Sequence, residues 1–359
     1  MCIERARRSI RSPTLASLGL IGVAACNGTT SYLDAQGASG HPVAVLGVWL
    51  TAISVVVVAI VCVAILAGIW RHRGEHNAPD AEGELAKDER GDGVRGTAAR
   101  REIRSGLRWI YVGLGATIVV LLVTFAGTMV TLDAASRPRE VPSLTLDVTG
   151  HQWWWEVRYS DLHDPSLGFV TANEVHLPIG VPVRVRLHSA DVIHSFWLPQ
   201  IAGKMDVIPG QVNEMWLQAD RAGTSRGSCA EYCGLGHAVM ALPATAEAPA
   251  AFARWAAARR AEAAPATTPA LQAGAMVFAR SCGACHAVAG TNALGRYGPD
   301  LTHLASRPTI GAGALANTPE NLARWIRNAP ALKEGSRMPA LALDDADLRT
   351  VVSYLTTLR

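Results

Sequence analysis

The chain has 359 residues, enough for two or three domains, because single cores seldom grow beyond about 250–300 residues. Its formal net charge is +3, with 33 Lys and Arg balanced against 30 Asp and Glu, which excludes the concentrated basic surface that nucleic acid requires. Hydrophobic residues make up 49% of the chain and are gathered in runs, which excludes an ordinary soluble globule as well.

The first segment, residues 1–25, reads as a signal peptide outside the fold. Arg5, Arg7, Arg8 and Arg11 form a basic start, and Leu15–Ala25 is apolar but too short to span a bilayer. It ends Val23-Ala24-Ala25-Cys26, which resembles a bacterial lipoprotein signal with Cys26 as the lipidated first mature residue. Ordinary cleavage and an uncleaved anchor are the alternatives. A lipid there would add a second, weaker membrane anchor.

Val43–Trp70 and Trp109–Leu132 carry no formal charge, and each exceeds the roughly 20 residues a helix needs to cross the hydrocarbon core. Transmembrane helices are therefore expected over 43–70 and 109–132. A buried core helix is the alternative, and the uninterrupted length argues against it. Arg71 and Arg73 close the first run, while Arg100, Arg101, Arg104 and Arg108 precede the second, so the positive-inside rule places residues 71–108 in the cytoplasm. That loop mixes Glu82, Glu84, Lys87, Asp88, Glu89, Arg90 and Asp92 with glycine and reads as solvated. Everything beyond Leu132 then lies outside the cytoplasm.

Residues 141–246 read as short strands. Thr145-Leu-Asp-Val-Thr149 and Val183-Arg-Val-Arg-Leu187 alternate apolar and polar, and Pro178, Gly180, Pro182, Pro199, Gly203, Pro209 and Gly210 punctuate the segment. A sandwich or barrel follows. Its last part, Cys229-Ala-Glu-Tyr-Cys233-Gly-Leu-Gly-His237-Ala-Val-Met240, gathers two thiols, an imidazole and a thioether. Such soft and nitrogen donors suit copper and not magnesium, calcium or manganese. Zinc has little use for Met240. A Cys229–Cys233 disulfide is the remaining alternative.

Residues 247–269 read as a short helix with Phe252 and Trp255, then an Ala-, Pro- and Thr-rich linker over Ala261–Pro269. Residues 270–359 carry the most specific motif of the chain. Cys282-Gly-Ala-Cys285-His286 is the attachment sequence for a c-type haem, with thioether bonds to both cysteines and His286 as an axial ligand. Gly274–Phe278 reads as a helix before it, Gly298-Pro-Asp-Leu301 as the loop under the histidine, and Leu322–Ile326 and Leu348–Leu355 as later helices with Trp325 and Tyr354 packing. Met338, in Gly335-Ser-Arg-Met-Pro339, fits the second axial position because the proline keeps it on a loop. Met276 and His303 are the competitors. A His/Met haem has no open position, so it carries electrons and does not bind oxygen. Of the remaining cysteines, Cys2 lies in the signal and Cys62 within the first apolar run, where a thiol needs no function.

Four segments now stand in one order: Gly150-His-Gln-Trp153-Trp-Trp155, Asp191-Val-Ile-His194-Ser-Phe-Trp-Leu-Pro199, Gly203-Lys-Met-Asp206 and Cys229–Met240. Together with the two apolar runs they resemble subunit II of the haem–copper cytochrome c oxidases. The terminal segment makes the chain similar to those whose subunit II carries its own cytochrome c, and the likeness covers residues 43–359. It implies a multidomain chain: a two-helix transmembrane hairpin, an all-β cupredoxin-like Greek-key domain and an all-α class I cytochrome c domain. It further implies a dinuclear copper A centre with imidazoles from His194 and His237, bridging thiolates from Cys229 and Cys233, Met240 as weak axial ligand and Glu231 through its backbone carbonyl. The Glu231 side chain would reach a magnesium ion shared with subunit I, and Trp153 would match an exposed tryptophan through which electrons arrive.

The implied work is to take electrons at haem c and pass them through copper A to subunit I, which reduces oxygen to water and pumps protons. The implied partners are subunits I and III, with cytochrome c or a quinol–cytochrome c reductase as donor. The implied place is the bacterial cytoplasmic membrane, its copper and haem domains on the periplasmic face. Trp154 departs from the family's usual tyrosine. Gly106 stands where many relatives carry a proton-uptake glutamate three residues before Trp109, leaving Glu102 as a remote substitute. The alternatives are a membrane-anchored electron carrier or redox sensor, or a nitric-oxide reductase component. Two membrane spans argue against a nitrous-oxide reductase, and the full set of copper donors against a quinol oxidase.

Overall fold

The computed structural model describes residues 28, 30–75, 92–138, 140–161, 164 and 167–359. The signal-like segment with Cys26, the greater part of the charged loop, His163 and the side chain of Glu102 lie outside what is described. The described chain divides into two units, Pro42–Arg137 and the segments on either side of it.

Two long helices make up the first unit, α1 (Gly40–Glu75) and α2 (Asp92–Ser136). Within them Gly40–Arg71 and Gly106–Ser136 are apolar and long enough to cross a membrane. Val55, Val58, Ile60, Leu66, Leu121 and Val123 are all exposed, the reverse of a water-soluble helix pair. The few hydroxyls are satisfied inside their own helices: Thr51 Oγ1 donates to Gly47 O, Ser54 Oγ to Leu50 O, and Thr117 Oγ1 to Gly113 O, at 2.8–2.9 Å. In hydrocarbon, where no water competes, such groups must be bonded internally.

The second unit begins with ten strands: β1 (Leu144–His151), β2 (Trp154–Asp161), β3 (Phe169–Ala172), β4 (Val175–Pro178), β5 (Val183–Ser189), β6 (His194–Trp197), β7 (Met205–Val207), β8 (Asn213–Leu217), β9 (Gly223–Cys229) and β10 (Ala241–Glu247). They form two five-stranded sheets, ordered β3-β2-β1-β5-β8 and β4-β10-β9-β6-β7. Alternation decides which faces meet. β1 and β5 run parallel with Leu146 opposite Val185 and Val148 opposite Leu187, and all four are buried. Trp155, Tyr159, Phe196, Leu198, Leu217 and Leu242 fill the space between the sheets. The strand pattern alone left a sandwich or a barrel; the structure is a sandwich, the cupredoxin-like domain that the resemblance implies. The segment before α1 joins the same body, since Gln36 N donates to Gln200 O and Asp220 N to Gln36 O.

Helix α3 (Pro249–Arg259) lays Phe252 and Trp255 against Tyr159, with Trp255 stacked on His176 at 4.0 Å. The remaining chain is helical: α4 (Pro269–Ser281), a small ladder of β11 (Thr309–Ile310) and β12 (Leu315–Ala316), then α5 (Pro319–Arg327), α6 (Ala329–Leu332) and α7 (Asp345–Leu355). All four of these helices begin alike. The side chains of Thr268, Thr318, Asn328 and Asp344 accept hydrogen bonds from the amides three residues on. Helices α4 and α7 cross at Gly274, where a Cβ would fall 2.4 Å from Thr350 O and 2.7 Å from Tyr354 Cβ. The close crossing lets Phe278 meet Tyr354 at 5.8 Å within a core of Val277, Leu322, Ile326, Leu348 and Val351. The linker is tied down, because Ala263 N donates to Ala289 O and Ala263 packs on that core.

Replacing Gly274 with valine should therefore force α4 from α7. We expect a loss of about 1–3 kcal/mol, read by thermal unfolding of the C-terminal helical domain, with the strands unaffected by circular dichroism.

Candidate metal and haem sites

Strand pairing builds the first site. β6 runs antiparallel to β9 with Phe196 opposite Cys229, which puts His194 near the end of β9. The chain then loops through Cys233 and a single helical turn at His237–Val239 before Met240 leads into β10. Cys229 N donates to Met240 O and closes the base of that loop. Candidate donor atoms converge as a result. The two sulfurs stand 3.8 Å apart, Cys229 Sγ is 3.9 Å from His194 Nδ1, Cys233 Sγ is 3.7 Å from His237 Nδ1 and 3.9 Å from Met240 Sδ. The backbone oxygen of Glu231 is 3.2 Å from Cys229 Sγ, while the Glu231 side chain is exposed.

A disulfide would need its sulfurs at about 2.05 Å, so these are two free thiols. Their electrostatics are those of a shared proton. The Cys229 thiol is pulled well below its usual range, chiefly by the hydrogen bond from Cys233, and Cys233 is pushed up by the thiolate beside it. Burial works against a proton on His194, yet its contacts with Cys229 and Asp191 outweigh it and raise the imidazole. One thiolate forms readily; the second needs a cation nearby. Two thiolates, two imidazoles and a thioether fit copper by donor chemistry.

Asp191 joins this site although it was not among the expected donor residues. His194 Nε2 lies 2.9 Å from Asp191 Oδ1, which leaves Nδ1 turned toward the thiols. Burial would raise the Asp191 carboxyl, but hydrogen bonds from His194 and from the amides of Gln152 and Val192 hold it below the usual carboxylate range. A histidine held this way is oriented and made a better donor.

The second site lies in the helical part. Cys282, Cys285 and His286 follow α4 and line a cavity of about 410 Å3 with Phe278, Leu304 and Met338. His286 Nδ1 donates to Pro299 O at 2.8 Å, and burial pushes the imidazole below its ordinary pKa, so a neutral ring presents Nε2. Gly298 packs against that ring, where a Cβ would come within 2.5 Å. Met338 is partly buried in the same lining, whereas Met276 is 64% exposed and outside it. His303 is buried and bonds Arg259 O. Arg307 also lines the cavity, its Nη2 donating to Asp300 O at 2.7 Å and its Nε lying 4.0 Å from Glu174 Oε1. The residues fit a covalently held haem.

Trp153 departs from expectation. The tryptophan it matches is exposed in the resembled family; here Trp153 is 8% exposed. Its indole Nε1 donates to Cys233 O at 2.9 Å, and Gly335 of the haem-bearing part lies against its ring. Trp154 stacks on His151 at 4.2 Å and both line the haem cavity, while Trp155 is wholly buried beside His194 and Phe196. Gly335 lies 182 residues beyond Trp153 in the chain, so no local pattern could reveal the cover.

Two helices long and apolar enough to cross a membrane, a β-sandwich whose loop gathers copper-type donors, and a helical domain with a haem attachment motif define the class of protein. Residues 144–247 match the family described as cytochrome c oxidase subunit II, periplasmic domain, and residues 271–359 match cytochrome c. The chain is 33% identical over 311 residues to a cytochrome c oxidase subunit 2 of Alkalihalophilus pseudofirmus, covering 86% of this chain and 85% of that one. A second such protein, from a Bacillus species, is 29% identical over 266 residues, 70% of this chain and 73% of its own. The solved periplasmic domain of subunit II from Bradyrhizobium japonicum is 32% identical, covering 34% of this chain and 96% of its own, with a TM-score of 0.31. The chain belongs to the cytochrome c oxidase subunit II family, in the form that carries a cytochrome c domain.

Replacing Asp191 with alanine should free the His194 ring. Copper affinity is expected to fall about 10–100-fold in chelator competition, with the sandwich intact by circular dichroism.

Proposed function

We propose that the chain is the electron-accepting subunit of a terminal oxidase, receiving electrons at a haem c and delivering them through a dinuclear copper A centre to catalytic subunit I. There oxygen would be reduced to water with proton pumping, beside subunit III, with cytochrome c or a quinol–cytochrome c reductase as donor. The observation that carries this reading is the position of Trp153. It lines the cavity with His286 and Met338, and its indole hydrogen-bonds the carbonyl of Cys233.

The roles follow from the donor atoms. Cys282 and Cys285 would form the thioethers, with His286 and Met338 the axial ligands. His194, Cys229, Cys233, His237, Met240 and the carbonyl of Glu231 would hold two coppers. When bound, the haem and the copper pair supply reversible one-electron chemistry without an open site for oxygen. The chain's own part is to keep that chemistry dry and fixed. Asp191 orients one imidazole and Pro299 O the other, while Trp153, Trp155 and Phe196 exclude water from the thiols' side. The exposed Glu231 carboxylate is free to reach a magnesium ion shared with subunit I. The two apolar helices would anchor the chain in the bacterial cytoplasmic membrane with both redox domains on the periplasmic face, aided by a lipid on Cys26.

The decisive measurement is metal and haem analysis of the purified chain with visible and spin-resonance spectra. The expected result is one covalent haem and two coppers sharing one unpaired electron. A single copper with a blue-site spectrum would overturn the dinuclear assignment. A large, many-helix haem protein should co-purify; its absence would favour a free-standing electron carrier.

A further inference from the structure

A buried lysine joins the two redox domains. Lys333 follows α6, is 5% exposed, and points its ammonium at three backbone oxygens: Trp153 O at 2.7 Å, Val239 O at 2.8 Å and Gly311 O at 2.8 Å. An ammonium has three donors, and here each has one acceptor. Two acceptors belong to the copper-bearing domain, one on Trp153 itself and one beside Met240. The third belongs to the haem-bearing domain. A lysine serving only as surface cover would stretch its head into water. This one gives up hydration, at a cost recovered only while all three carbonyls stay in place.

The residues after it continue the contact. Gly335, with φ +79°, lies where a Cβ would come within 2.5 Å of the Trp153 ring, and next to Leu235. Arg337 Nη2 donates to Gln152 Oε1 at 2.7 Å and comes within 3.9 Å of Asp191 Oδ2, the carboxylate that holds His194. Met338 then turns into the haem cavity. Within six residues the chain thus passes from the carbonyls of Trp153 and Val239 to the thioether of Met338.

We propose that Lys333 is a positioning residue: its ammonium seats the haem-bearing domain on the copper loop and closes Trp153 between them, so that transfer between the cofactors runs across one fixed junction. Its electron-transfer part rests on the two-cofactor reading above; the seating itself does not. A separate contact keeps the domains attached without Lys333, since Glu174 Oε1 lies 3.6 Å from Arg259 Nε and 4.0 Å from Arg307 Nε, all three buried. Loss of the ammonium should therefore loosen the seat without unfolding either domain.

The test uses the full-length chain loaded with haem and copper, as wild type, Lys333→Met and the milder Lys333→Gln. Amide hydrogen exchange at residues 153–155 and 235–240 reads the seat. Electron redistribution between haem and copper after flash reduction reads its consequence. We expect exchange there to quicken and redistribution to slow at least about tenfold in K333M, with both cofactors' spectra and reduction potentials unchanged. Exchange and rate both equal to wild type would overturn the assignment. If K333M loses its haem spectrum, the same readouts in K333Q decide. If wild type proves to lack haem or copper, the cofactor reading fails, and exchange alone decides the role of Lys333: unaltered protection in K333M would refute it.

Discussion

Two thiols 3.8 Å apart cannot both give up their protons unless positive charge lies between them. At that separation two unit negative charges repel by about 4 kcal/mol even at an effective dielectric of 20. The sandwich turns this conflict into a site. β6 and β9 hold His194 against Cys229, a hydrogen bond from Cys229 N to Met240 O pins the loop ends, and the core excludes the water that would otherwise hydrate the thiolate. Cations resolve the repulsion and gain donors already close to converged. The loop is short because the conflict must be built in rather than left to diffusion.

The haem-bearing domain depends on that loop in turn. Its own core is small, and Trp153 and Trp154 of the copper-bearing domain complete its cavity wall. The two sites share a partition rather than facing each other across solvent. Trp153 is that partition, bonded to Cys233 O on one side and covered by the loop before Met338 on the other.

Much of this was legible in the sequence. Alternation at Thr145–Thr149 and Val183–Leu187 marked strands that the structure extends to Leu144–His151 and Val183–Ser189. The apolar runs marked helices, which continue past their charged flanks because arginine, alanine and glutamate are good helix formers. The donor residues of the copper loop lie within twelve positions and those of the haem motif within five, so local spacing brought them out. What escaped notice is long-range. Asp191 sits three residues before His194, and only the fold shows that its carboxylate meets the ring nitrogen. Lys333 lies in a stretch with no motif, and its acceptors are backbone oxygens, which carry no sequence signal. Trp153 looked exposed because a motif reports its own segment and not what folds over it.

That the junction ammonium meets carbonyl dipoles instead of carboxylates bears on how the two domains respond to their surroundings. Encounters between separate proteins steered by surface charge weaken as salt shortens the reach of their fields, to about 8 Å at physiological ionic strength. The buried Lys333 head group meets three backbone oxygens and, among the described residues, forms no ion pair with a carboxylate for salt to screen. On the proposed function, a hand-over across this junction would be set apart from the surrounding ionic strength, and delivery of electrons to the haem would be the step left to feel it.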